Sequence, residues 1–197
     1  MTNYTINKNY KCEYEIKKSV FISTLIPVSN LEECQERLKE IRKEYYDATH
    51  NCYSYIINNN GSYIIKNSDD GEPSKTAGIV IYDVLKKHNL ENVLCIITRY
   101  FGGIKLGAGG LVRAYSKATS DVVNLIEKIK IEELTSISIE VDYANVSDIL
   151  NFMDKYKQEA KDFKESAKFI YLVPAEKKDE IKENLIKITK NKIKIED

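Results

Sequence analysis

NVLCIITRYFGGIKLGAGGLVRAYS, residues 92–116, joins an apolar run to a glycine cluster and then to a helical pattern. Asn92–Tyr100 is nearly all apolar, the texture of a strand buried on both faces. Five of the chain's eight glycines follow: Gly102, Gly103, Gly107, Gly109 and Gly110. The loop Phe101–Ala108 leads at Gly109 or Gly110 into a helix that the spacing carries to about Ile129. A strand running through such a loop into a helix presents bare backbone N–H groups, and the helix start adds partial positive charge. Between Glu91 and Asp121 there is no acidic residue, while Arg99, Lys105, Arg113 and Lys117 all fall there. Phosphate or carboxylate binding is the direct physical reading; a tight strand-to-helix turn with close packing is the alternative.

Upstream, Cys12–Ile16 and Val20–Pro27 read as strands. Ser29-x-x-Glu32 fits a capping box, and Leu31, Cys34, Leu38 and Ile41 continue at helical spacing to about Tyr45. Cys52–Asn58 and Ser62–Lys66 are β-rich runs about Asn59-Asn60-Gly61, a hairpin signal. The polar loop Asn67–Pro73 precedes a helix that Ser74 is expected to cap and that runs to about His88. Gly78 would fall inside that helix, at a cost of about 1 kcal/mol relative to Ala, which suggests close packing there.

From Lys130 onward there is no glycine, and Lys and Glu dominate. The elements read strand (Ile131–Asp142), helix (Val146–Tyr156), strands (Gln158–Glu165, Lys168–Val173), helix (Glu176–Thr189) and strand (Lys192–Glu196). That β-α-β-β-α-β order is the ferredoxin-like arrangement. The expected organisation is therefore α+β in two domains, 1–129 and 130–197.

With 197 residues and 43% hydrophobic composition, the chain can bury real cores. Its 30 basic and 30 acidic side chains cancel, so no global field draws it to nucleic acid or membrane, and anion binding must come from a local patch. The N-terminus lacks the apolar core of a signal peptide, and no window approaches the roughly 18 apolar residues of a spanning helix. A cytoplasmic protein with reduced thiols and no membrane partner is expected. Cys12, Cys34, Cys52 and Cys95 form no C-x-x-C pair and suggest no zinc site.

The named phosphate motifs fail. G-x-G-x-x-G breaks at Val112, and a P-loop from Gly102 meets Ala108 where Lys is required. Asp69, Asp70 and Glu72 could hold Mg²⁺, or accept hydrogen bonds from Arg99 or Arg113 and organise their loop. His50 and Cys52 share one side of a strand, so a Cys/His nucleophile pair is conceivable, although a free Cys is more often a small hydrophobe. Tyr100 and Phe101 are stacking surfaces beside cations if exposed, and core if buried.

DDGEPSKTAG (Asp69–Gly78) followed by TRYFGGIKLGAGGLVRAYS (Thr98–Ser116) resembles the signature of the IMPACT family, also called the YigZ family. His50-Asn51-Cys52-Tyr53 matches the upstream segment, and the similarity runs from about Tyr10 to Glu127. The resemblance implies a first domain of the ribosomal protein S5 domain 2-like fold and a second like the last domain of elongation factor G. It also implies a link to translation: eukaryotic relatives regulate initiation by binding an activator of the amino-acid-starvation kinase, and nucleic-acid binding is commonly suggested for bacterial ones. Two departures stand out. Lys75 replaces the middle glycine of the family's D-G-E-P-S-G-T-A-G, and Ile79-Val80 replaces a basic residue and Pro.

The sequence thus favours a non-enzymatic, translation-associated binding protein whose partner is RNA or a ribosome-associated protein. Its anion-binding surface would comprise Lys75, Arg99, Tyr100, Gly102, Gly103, Lys105, Gly107, Gly109, Gly110, Arg113 and Lys117, beside the acidic loop Asp69, Asp70 and Glu72. No catalytic residue, cofactor or metal is assigned. The rival is a metal-dependent enzyme or small-ligand binder acting on a phosphorylated metabolite, and a third reading is regulation through protein contacts alone.

Overall fold

Residues 2–59 and 61–196 are described by a computed structural model of the chain, which divides into compact units Met1–Ile131 and Glu132–Asp197. The expected boundary at 129/130 falls inside a short strand of the first unit. Asn60, the middle of the expected hairpin turn, lies outside the described residues.

In the first unit the elements are β1 (Tyr4–Thr5), β2 (Tyr10–Ile16), β3 (Ser19–Pro27), α1 (Leu31–Glu44), β4 (His50–Asn59) and β5 (Ser62–Ser68). After these come α2 (Gly78–Lys87), β6 (Val93–Tyr100), α3 (Ala108–Asn124) and β7 (Ile129–Lys130). Five strands form one antiparallel sheet in the order β2-β3-β6-β4-β5. β6 is central, and its alternation shows why it reads as continuously apolar. Val93, Cys95 and Ile97 enter one core with Ile81, Leu85, Leu111, Tyr115 and Val122 of α2 and α3. Leu94 and Ile96 enter the other core with Cys34 and Ile41 of α1. A strand buried on both faces has no polar side to alternate.

Several element boundaries differ from the sequence reading, the strand expected from Ile131 beginning at Leu134 and the helix expected to reach Tyr156 ending at Met153 among them, and three have a clear local reason. The capping box lies one residue later than Ser29-x-x-Glu32: the Asn30 side chain accepts from the Glu33 N–H at 2.9 Å, and Glu33 accepts from the Ser29 N–H at 2.8 Å. α2 starts at Gly78 rather than after Ser74, because its first amides are capped from outside by Asp69. Gly78 is thus at the helix start, where an added Cβ would lie 2.5 Å from the Ser68 backbone. α3 begins at Ala108 and stops at Asn124, short of Ile129, and the chain then extends so that β7 pairs with β1.

The second unit runs β8 (Leu134–Val141), α4 (Val146–Met153), β9 (Lys157–Phe163), β10 (Ala167–Pro174), α5 (Lys178–Ile188) and β11 (Ile193–Glu196). The sheet order is β11-β8-β10-β9, antiparallel throughout. Ile137, Ile139, Phe169, Tyr171 and Val173 pack with Ile149, Met153, Ile181 and Leu185 in this unit's own core.

Candidate functional site

Register places the site. Phe21 of β3 lies opposite Arg99 of β6, which lies opposite His50 of β4. Directly opposed residues project to the same face of a sheet. Here that is the face carrying α2 and α3, where the glycine loop delivers the N-terminus of α3. A cleft of about 400 Å³ opens there, walled by His50, Glu72, Arg99, Phe101, Lys105 and the first turn of α3.

Arg99 is not the surface cation that the sequence suggested. It is only 4% exposed. Its Nη1 is 2.5 Å from Glu72 Oε1, and its guanidinium carbon lies 5.3 Å from the Phe21 ring centre and 5.5 Å from that of Phe101. Glu72 Oε1 also accepts from the Tyr115 hydroxyl at 2.8 Å. Removing one partner of a buried ion pair costs about 3–5 kcal/mol, so this pair anchors the loop to the sheet. Arg99 Nε has no hydrogen-bond partner among the described residues.

The other carboxylates diverge. Asp69 Oδ1 accepts from the Ala77 and Gly78 amides (3.0 and 2.8 Å) and Oδ2 from the Lys75 amide (2.8 Å), so it caps α2. Asp70 pairs with Arg42 at 2.8 Å and accepts from the Asn51 amide at 2.6 Å. Among the described residues no cluster of three or more His, Cys, Asp or Glu side chains is arranged to hold a metal ion. Of the two cations expected near this loop, Arg99 meets Glu72; Arg113 is exposed on α3 with no ion-pair partner among the described residues.

The imagined His50/Cys52 pair is not assembled. Cys52 is buried 3.0 Å from the Asp69 carbonyl and 3.2 Å from the Tyr115 phenol oxygen, and burial pushes its thiol pKa up. Burial likewise raises that of Tyr115, with the neighbouring Cys52 and Glu72 adding to it, and the phenol stays a donor. His50 instead faces Glu72. Its Nδ1 is 2.8 Å from the Asp70 carbonyl, which can only accept, so the ring proton sits on Nδ1. That leaves Nε2 toward Glu72 Oε2, 3.8 Å away. The sequence reading missed this arrangement; the alternation of β4, which puts His50 and Cys52 on one side, was the available signal.

The glycine loop divides by role. An added Cβ on Gly102 would lie 2.0 Å from the Lys18 backbone, and the Gly102 amide donates to Ser19 Oγ at 3.1 Å, so Gly102 is a packing residue. Around Gly103, Gly107 and Gly109 the space is open, while Gly110 sits close to the Leu106 side chain. Gly107 precedes α3 with no side-chain cap, and the first turn of α3 carries no acidic residue. Lys105 is exposed on the cleft wall, and Lys75 is exposed two residues beyond Pro73 of that wall. Lys117 is engaged by Asp121 at 2.6 Å, one turn along α3. Tyr100 is half-buried and donates to Asp47 at 2.8 Å, a bond that pushes its pKa up to about 12. Phe101 is 46% exposed.

The result is a mixed α/β protein of two compact units, with a charged cleft at one end of the larger sheet. The chain belongs to the IMPACT family: the Impact N-terminal domain matches residues 17–123. It is 43% identical over 148 residues to IMPACT family member YvyE of Bacillus subtilis, covering 75% of this chain and 68% of that protein. It is 32% identical over 136 residues to IMPACT family member YigZ of Escherichia coli, covering 68% and 67%. A solved crystal structure of a hypothetical protein matches with a TM-score of 0.70 at 25% identity, covering 98% of this chain and 96% of that one. No helix among the described residues is long and apolar enough to cross a membrane.

Proposed function

We propose that this protein is a non-enzymatic, translation-associated binding protein that holds RNA at the open end of α3. One observation carries the reading: the helix start is uncapped and free of acidic residues, while Lys105 and Arg113 stand exposed without ion-pair partners among the described residues. Uncapped amides and neighbouring cations suit phosphate oxygens. The link to translation follows the family resemblance. It is also supported by the architecture we propose: a ferredoxin-like second unit, whose strands lie fourth, first, third, second across the sheet, and an S5 domain 2-like fold for the first. The metal-dependent alternative is disfavoured because Asp69, Asp70 and Glu72 each turn to a different protein partner.

Fluorescence anisotropy with single-stranded RNA across a salt series tests the reading. Each phosphate contact contributes a slope of about −0.7 in log K against log salt. Lys105→Ala with Arg113→Ala should flatten the slope by roughly 1.4, two such contacts, and leave the melting temperature nearly unchanged. An unaltered slope in a folded double variant places binding elsewhere. Salt-sensitive binding to a protein but to no RNA would favour regulation through protein contacts.

A further inference from the structure

The cleft contains more than an anion site. His50 and Glu72 both line it, the Glu72 side chain nearly buried, and His50 Nε2 lies 3.8 Å from Glu72 Oε2, too far for a hydrogen bond to each other. Neither is free to turn away. The Asp70 carbonyl holds His50 Nδ1, and Arg99 and Tyr115 hold Glu72 Oε1. In the neutral ring, Nε2 is an acceptor, as is the carboxylate oxygen. Two fixed acceptors at this spacing call for a group with two hydrogens to give. Beside them Phe101 offers a half-exposed ring, and Lys105 and the first turn of α3 line the same wall. The volume of about 400 Å³ falls within the roughly 300–1,000 Å³ of small-ligand sites.

We infer that the cleft receives one nucleobase bearing an exocyclic amine, in preference to uracil, together with its phosphate. The –NH₂ of adenine, cytosine or guanine donates to His50 Nε2 and Glu72 Oε2. Uracil presents a single N–H flanked by two carbonyl oxygens, which would face these acceptors unfavourably. The base lies against Phe101, and its phosphate meets Lys105 and the amides at the start of α3. The placement of the phosphate rests on the RNA-binding reading above; the reading of the base goes beyond it. The nucleotide can be a unit of an RNA chain or a free mononucleotide, and the two sources are separable.

The test measures binding of short homopolymeric RNAs of A, C and U by anisotropy, and of AMP, CMP and UMP by calorimetry. The A and C ligands should bind about tenfold or more tighter than their U counterparts, the usual scale of discrimination by a base contact. A preference seen only with the oligomers makes the occupant part of a chain; one seen with mononucleotides makes a free nucleotide sufficient. His50→Asn keeps a donor for the Asp70 carbonyl and deletes Nε2. It should abolish the preference while leaving the salt slope intact, whereas Lys105→Ala with Arg113→Ala should do the reverse. Should His50→Asn fail to fold, Phe101→Leu removes the aromatic face and should weaken AMP and CMP by about fivefold or more. Equal affinity for A, C and U in both arms overturns the inference, and a retained salt slope would leave RNA binding standing. If no RNA binds, the RNA reading falls; a preference for AMP and CMP over UMP then still upholds the pocket, and none overturns it.

Discussion

Lys75 shows how one position can depart from a family pattern without losing the local structure. It sits at φ 63°, in the left-handed region, and its amide donates to Asp69 Oδ2. The conformation explains the glycine that the family resemblance implies here. An L-residue pays about 1–2 kcal/mol for it, against about 0.4–1 kcal/mol of extra unfolded-state entropy for glycine. Lys75→Gly should therefore stabilise the first unit by about 0.5–1 kcal/mol, read as a higher urea midpoint with unchanged slope. A lower midpoint would mean that the Lys side chain supports the loop. At this scale the sequence made part of the site legible. The carboxylates, the cations and a possible bond between them were visible, because residue type announces charge. Which cation meets which carboxylate was not visible, since Arg99 is paired with Glu72 by the register of three strands, while Arg113 is exposed on α3 with no ion-pair partner among the described residues.

At the scale of elements, the long apolar patterns were readable and the starts of helices were less so. β6 and β4 announced themselves because burial on a sheet face demands β-branched and aromatic side chains in a short run, and the largely exposed β5 was marked by its composition and the adjoining turn residues. The start of α2 was obscured because its cap is not the adjacent Ser74. Asp69 reaches across nine residues to the Gly78 amide, and no local pattern encodes that loop closure. The two-residue strands β1 and β7 are too short to carry a periodic signal, and their pairing ends the extension expected of α3. Since Asp69 satisfies three amides, Asp69→Ala should cost about 2 kcal/mol or more, at or above the upper end for loss of a single helix cap. Asp69→Asn keeps one oxygen for Ala77 and Gly78 and should cost less. Thermal melts followed by far-UV circular dichroism would rank the three proteins. If alanine and wild type melt together, the loop rather than its carboxylate holds the helix in place.

At the scale of the whole molecule, each unit has its own core, and this gives a way to watch them separately. The four cysteines all lie in the first unit and none in the second. Cys34, Cys52 and Cys95 are buried, and burial raises their thiol pKa values, that of Cys34 to about 12; only Cys12 is partly exposed. A raised pKa means the reactive thiolate is scarce near pH 8 while the unit is folded. Unfolding restores a value of about 8.5 and with it reactivity. Pulsed thiol labelling in urea thus reports the first unit alone, whereas far-UV circular dichroism reports both. The second unit has 66 residues, from Glu132 to Asp197, and one small core. Domains near this size bury only about 60% of their unfolded surface and are correspondingly marginal. We expect circular dichroism to lose part of its amplitude at lower urea, before the three buried thiols become reactive. Residues 132–197 alone should reproduce that first transition. If the labelling and dichroism curves superimpose in midpoint and slope, the two units unfold as one and their proposed independence is wrong.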